Sequence, residues 1–286
     1  LKLNNVGINQ LRNLLQLSTL GMFIPLGVNL KKTKIKNREA EWLVPDKAHP
    51  EKVLLYFHGG GYALGSTDTH RSMVGLFAKK SGISVLLASY RRIPESPFPA
   101  ALNDAMAAYQ SLLEEGYKPE NILVGGDSAG GGLAITLQLK LKEKQMALPA
   151  GTICLSPWTD LAITGDSVQK NTHRDPLTDI PRMKKWGRIY AGKEAITNPL
   201  ISPMYGELTG FGPMLVQAST SEVLYDDARR LVEHAERDKV QVDFQEWEGL
   251  MHWWHLFWQV VPEANEAIDK IVAFMETLGF CYPTKS

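Results

Sequence analysis

Cysteine is scarce in this 286-residue chain, which has only Cys154 and Cys281. Two thiols cannot by themselves build a tetrahedral zinc site. Cys154 lies in the apolar run Ile153-Cys154-Leu155 and reads as a buried thiol. Nothing in the sequence supports a Cys154–Cys281 disulfide, so a reduced, cytoplasmic protein is the default expectation. The chain begins at Leu1 rather than Met, so the lack of a signal peptide says little about compartment and export stays open. Net charge is missing too: 31 basic and 31 acidic side chains cancel, leaving no basic excess for a nucleic-acid partner. Long apolar runs are also absent. The longest apolar-leaning stretch, Leu17 to Val28, carries Pro25 and two glycines and falls short of the roughly 18–20 residues of a membrane span. What remains is 44% hydrophobic and 22% charged, an ordinary globular composition. A chain of this length buries roughly 75% of its unfolded surface, enough for one large core without staples.

Short apolar runs alternate with helix-period segments, the pattern of a parallel sheet with crossover helices. Strands are predicted at Val53–Phe57, Ile83–Ala88, Ile122–Val124, Thr152–Leu155, Met214–Ala218 and Val240–Phe244. Helices are predicted at Thr69–Lys80, Pro99–Glu115, Leu133–Lys144, Asp226–Arg237 and Pro262–Leu278, several of them with one apolar stripe. Between Trp158 and Gly212 the rhythm breaks: four prolines interrupt the segment and one modest helix, Arg182–Tyr190, stands alone. The first 45 residues also fall outside the rhythm, with Ile8, Leu11, Leu14 and Leu15 at helical spacing. The fold class is α/β, with a mostly parallel central sheet flanked by helices and an insert on a single domain, residues 1–286. No internal repeat or low-complexity tract is present.

Two motifs carry chemistry. Gly126-Asp127-Ser128-Ala129-Gly130 is a G-x-S-x-G between a predicted strand and a predicted helix. A turn tight enough to expose a serine above a sheet strains its dihedrals, and glycine two residues either side avoids collisions. The motif recurs by chance, so its strand–turn–helix context is what gives it weight. His58-Gly59-Gly60-Gly61-Tyr62 directly follows a strand, and consecutive glycines let amides converge on one developing oxyanion. As a nucleotide loop it fails: no G-K-[ST] follows, and the G-x-G-x-x-G register would need glycine at Leu64.

Together these motifs resemble those of the hormone-sensitive-lipase-like esterases, an α/β-hydrolase family. Further blocks are similar: Tyr90-Arg91-Arg92-Ile93-Pro94-Glu95, Phe98-Pro99-Ala100 with Asp104, Leu155-Ser156-Pro157-Trp158, and Glu222 to Asp227. Arg92-Ile93 departs from the family's usual Leu-Ala. The resemblance spans roughly residues 40 to 280 and implies a cofactor-free serine carboxylesterase acting on short- to medium-chain acyl esters, with a helical cap. It places the cap in residues 1–45 and 158–205, and implies a homodimer as the assembly, for which no sequence feature speaks.

The resemblance also implies a Ser–acid–His triad in that chain order. Ser128 is the nucleophile, and Gly249-Leu250-Met251-His252 fits the family's G-x-x-H, which makes His252 the base. His255, three residues on, is the competitor, and a His-x-x-His metal pair lacks a third ligand at convincing spacing. The family usually has Asp at the acid position; here the segment reads Ser221-Glu222-Val223-Leu224-Tyr225-Asp226-Asp227, so Glu222 occupies it and Asp226 is the alternative. The implied oxyanion donors are the amides of Gly60, Gly61 and Ala129, with Gly59 reserved for the turn. Asp127, Glu95 and Asp104 read as structural braces. Trp247, Trp253, Trp254, Phe257 and Trp258 flank His252 and read mostly as helix core, in part as pocket wall. An unperturbed His252 places the acidic limb of the rate profile near pH 6–7. The same triad would serve amides, lactones or other acylated metabolites. A ligand-binding protein on a retired hydrolase scaffold is a third reading, against which stand all three triad positions.

Overall fold

The computed structural model describes residues 7–282. In chain order the elements are α1 (Ile8–Ser18), β1 (Val28–Ile35), β2 (Arg38–Pro45), β3 (Val53–Phe57), α2 (Thr67–Ser81), β4 (Ser84–Ala88) and α3 (Ala100–Glu114). There follow β5 (Ile122–Asp127), α4 (Ala129–Glu143), β6 (Gly151–Leu155), α5 (Ser167–Lys170), α6 (Ile180–Ala191), β7 (Met214–Ser219), α7 (Tyr225–Arg237), β8 (Val242–Trp247) and α8 (Pro262–Thr277). Eight strands form one sheet in the order β1-β2-β4-β3-β5-β6-β7-β8. From β4 to β8 all pairings are parallel, and β2 meets both β1 and β4 antiparallel.

The apolar runs become the central strands because both faces of the sheet are covered. Along β3, Val53, Leu55 and Phe57 join one buried cluster with α3 and α4, whereas Leu54 and Tyr56 join another with α2 and α8. A third cluster packs α7 against β6 and β7. Helix α6 starts where the Asp179 side chain accepts from the Arg182 amide, with proline in its first turn.

Residues 28–45, expected in a cap, instead form β1 and β2 of the central sheet. Their alternating burial and the lysines of an edge strand hide them from a search for apolar runs. The hairpin turns at Lys36-Asn37, both with positive φ, the backbone of a two-residue hairpin turn. Residues 1–6 of that expected cap lie outside the described residues. Helix α4 begins four residues before the predicted Leu133, because its glycine-rich first turn packs against neighbouring backbone that helix propensity ignores. Strand β8 begins at Val242, two residues after the predicted Val240, and runs to Trp247.

Candidate active site

Strand β5 ends at Asp127, α4 begins at Ala129, and Ser128 between them holds φ 52° and ψ −121°. The flanking glycines are obligatory. A Cβ on Gly126 would lie 2.3 Å from the Gly130 carbonyl carbon, and one on Gly130 would lie 2.1 Å from the Phe57 oxygen. The Ser128 amide donates to the Leu155 carbonyl at 2.8 Å, pinning the turn to β6.

Glu222 follows the end of β7, and His252 follows β8, so parallel strands deliver both to the end of the sheet that carries Ser128. His252 Nδ1 donates to Glu222 Oε2 at 2.6 Å. The other oxygen, Oε1, accepts from the Ser156 hydroxyl at 2.7 Å and the Ser219 amide at 2.8 Å. Glu222 is fully buried. From the insert, Asn171 donates to the carbonyls of Thr220 and Glu222, and Asp175 accepts from the Val223 amide. Burial by itself would lower the His252 pKa, but the Glu222 hydrogen bond and charge, with Asp175 and Asp127 behind them, outweigh it and raise the pKa.

The two competitors sit elsewhere. His255 Nε2 bonds to Gln217 Oε1 at 2.8 Å, and burial pushes its pKa down to about 3, so the ring is neutral. Asp226 accepts from the Ser167 amide at 2.8 Å and from Arg229 Nε at 3.1 Å. Burial would raise its pKa, yet those partners hold the carboxyl below the ordinary range. His252 and His255 thus serve different partners, and among the described residues no group of three or more His, Cys, Asp or Glu could hold a metal ion.

In the glycine loop the Gly59 amide donates to His70 Nε2 at 3.2 Å. That nitrogen also lies 3.2 Å from Asp127 Oδ2, and the Tyr56 hydroxyl donates to Oδ1 at 3.0 Å. Asp127 is thus held against Tyr56 of β3 and His70 of α2. Gly60 and Gly61 hold φ of 123° and 60°, and the Gly60 carbonyl accepts from the amides of Ala63 and Leu64. Among the described residues, neither the Gly60 nor the Gly61 amide meets an acceptor within the protein. Glu95 pairs with Arg12 of α1 and Asp104 with Arg91, both bracing the chain around the loop.

Ser128, His252, Gly60 and Gly61 line one cavity of about 90 Å³, together with Trp158 and Trp186 of α6. Of the aromatic cluster, Trp253 also lines it and stacks on His252 with centroids 5.3 Å apart. Trp254 is fully buried in core, and Trp258 donates to Ser72. The structure brings in residues that the sequence did not single out: Ser156 and Asn171 behind the acid, Asp175 in the insert, and His70 beneath the loop. Ser156 stood inside a recognisable block; the other three carried no local signal.

An α/β-hydrolase-fold family model matches residues 54–256. An acetyl-hydrolase from Streptomyces hygroscopicus is 42% identical over 83% of this chain and 79% of its own length. An esterase from Acinetobacter venetianus is 34% identical over 81% of this chain and 77% of its own. Among solved structures, an esterase of the bacterial hormone-sensitive lipase family superposes with a TM-score of 0.92 at 38% identity, covering 95% of this chain and 92% of that one. The chain belongs to the hormone-sensitive-lipase-like esterases of the α/β-hydrolase fold. Its activity is that of a carboxylic ester hydrolase on small-molecule esters. No helix among the described residues is long and apolar enough to cross a membrane.

Proposed function

We propose that Ser128, His252 and Glu222 are the catalytic triad, and that the amides of Gly60, Gly61 and Ala129 form the oxyanion hole. The observation that carries this reading is the 2.6 Å bond from His252 Nδ1 to a glutamate whose other oxygen is already anchored twice. That bond commits the imidazole proton to Nδ1 and leaves Nε2 as the base. Ser128 Oγ attacks the ester carbonyl while Nε2 takes its proton. The negative charge moves to the carbonyl oxygen, where the three amides stabilise it. The intermediate then expels the alcohol, which leaves with the proton from Nε2, and Ser128 retains the acyl group. Water, deprotonated by the same nitrogen, attacks the acyl-enzyme; the carboxylic acid departs and Ser128 recovers its proton. Gly59 is left out because its amide is already engaged by His70. Ala129 is included because the first amide of a helix has no intrahelical acceptor.

The domain reading is one α/β-hydrolase domain in which α1 and residues 158–205 form the cap. Arg12 supports α1 in that role, since it bonds to the carbonyls of Ala63 and Ile93 and to Glu95. The small cavity supports short acyl groups as preferred substrates. A cytoplasmic compartment is supported by two free thiols, and a homodimer rests on the family resemblance. The test is turnover of p-nitrophenyl acetate and butyrate by the wild type and by Ser128→Ala. The variant should lose about 10⁶ in kcat; a variant retaining most of its activity removes Ser128 from the mechanism.

A further inference from the structure

Two cavities meet along the start of α6. The 90 Å³ space holding Ser128 and His252 shares Asp179, Arg182 and Trp186 with a second space of about 530 Å³ between α1 and α6. The larger space is about six times the volume of the smaller. Its walls are mostly apolar: Ile8 and Leu11 from α1, Ile93 and Pro94 from the loop after β4, and Ile189 from α6. Its charged side chains, Asp179, Arg182 and Lys185, come from the start of α6 and the residue before it.

Of the three shared residues Trp186 has the largest side chain, and it packs on the glycine loop. A Cβ on Gly61 would lie 2.7 Å from Trp186 Cε3, so the indole edge presses directly on the glycine loop. The helix that carries the ring is held close: a Cβ on the next residue, Gly187, would lie 2.9 Å from the Leu161 carbonyl oxygen. The indole therefore stands between the glycine loop and the larger space, on a helix packed directly against Leu161.

We propose that Trp186 sets the chain-length limit of this enzyme, and that the α1–α6 space behind it is a subsite for an aliphatic ester chain that the ring withholds. This rests on the ester-hydrolase reading with Ser128 as nucleophile. The apolar walls suit a methylene chain from either the acyl or the alcohol part of the ester, since both radiate from the carbonyl carbon at Ser128. Removing the indole joins the spaces and gives such a chain a mostly apolar-walled channel, in which each added methylene gains affinity.

The experiment compares kcat/KM along two series for wild type and Trp186→Ala. One series is p-nitrophenyl acetate, butyrate, octanoate and decanoate, which lengthens the acyl part. The other is ethyl, butyl and octyl acetate, which lengthens the alcohol. In the wild type both series should fall with length. In Trp186→Ala the long-to-short ratio should rise by roughly ten-fold or more in one series, which identifies the chain that enters. Adding Ile8→Trp to Trp186→Ala refills the far space and should cancel the gain. If the alanine variant does not fold, Trp186→Leu supplies the same comparison. An unchanged ratio in both series, in protein whose serine titrates fully with a short-chain phosphonate, overturns the proposal. So does a wild type that takes decanoate as well as butyrate. A wild type inert on every ester removes the esterase reading itself, a separate outcome.

Discussion

Glu222→Gln is a sharp perturbation because the surroundings dictate how the amide must sit. Oε1 of Glu222 accepts from the Ser156 hydroxyl and the Ser219 amide, while Oε2 accepts from His252 Nδ1. A glutamine keeps its carbonyl oxygen where those two donors converge, so its NH₂ faces the imidazole. Two donors cannot share one contact. The ring therefore reverses tautomer, carries its proton on Nε2, and can no longer accept the Ser128 proton. Amide replacement of the acid in a serine triad costs about 10⁴ in kcat, equivalent to about 5.5 kcal/mol of transition-state stabilisation. The pH profile moves as well. Burial favours the neutral ring, but Glu222, with Asp175 and Asp127, outweighs burial and holds the wild-type pKa above its ordinary 6.5. Only the neutral ring acts as base, so kcat/KM should climb through a midpoint above that value, higher than the sequence by itself suggested. With the carboxylate gone, burial dominates and the acidic limb of the residual activity should shift to lower pH. The assay is kcat/KM for p-nitrophenyl butyrate from about pH 5 to 9, for the wild type, Glu222→Gln and Glu222→Ala. Alanine leaves the tautomer free, so it should be the milder change. A glutamine variant within about ten-fold of wild type, or an unmoved limb, would refute the reasoning.

Two further substitutions probe the scaffold. Gly130→Ala places a methyl 2.1 Å from the Phe57 oxygen and 2.6 Å from the His58 oxygen, both backbone atoms. Because neither can yield without shifting β3 or the glycine loop, we expect a destabilisation of about 1–3 kcal/mol or more together with loss of turnover; an unchanged thermal melt contradicts this packing. Asp226→Asn keeps an acceptor for the Ser167 amide and loses only the ion pair to Arg229, whose side chain is 41% exposed. Its cost should stay within about 1 kcal/mol, with kcat/KM within about ten-fold of wild type. A loss comparable to that of Glu222→Ala would make Asp226 the acid after all.

The central strands and most helices were legible because a strand covered on both faces must be apolar throughout, and its helices need one apolar stripe. The serine turn was legible for a local reason: its geometry tolerates only glycine at positions 126 and 130, and that demand is written into adjacent residues. The edge hairpin was not, since half-buried strands carrying lysines offer no continuous run. Nor was the early start of α4, where three glycines suit a helix only because backbone from β3 and the Trp158 loop crowds them. The parallel α/β class, the serine turn and the glycine loop could be read from the residues alone, and the family resemblance supplied two candidates each for acid and base. Between those candidates the packing favours Glu222 and His252, which bond to each other, whereas Asp226 and His255 hold other partners. Glu222 and His252 are 30 residues apart in the chain, and what joins them is the parallel order of β7 and β8, which sets their loops side by side. The same holds for Trp186, whose contact with Gly61 exists only once α6 folds back over the sheet. Interactions between distant segments leave no local periodicity, so spacing names the players and packing assigns the partners.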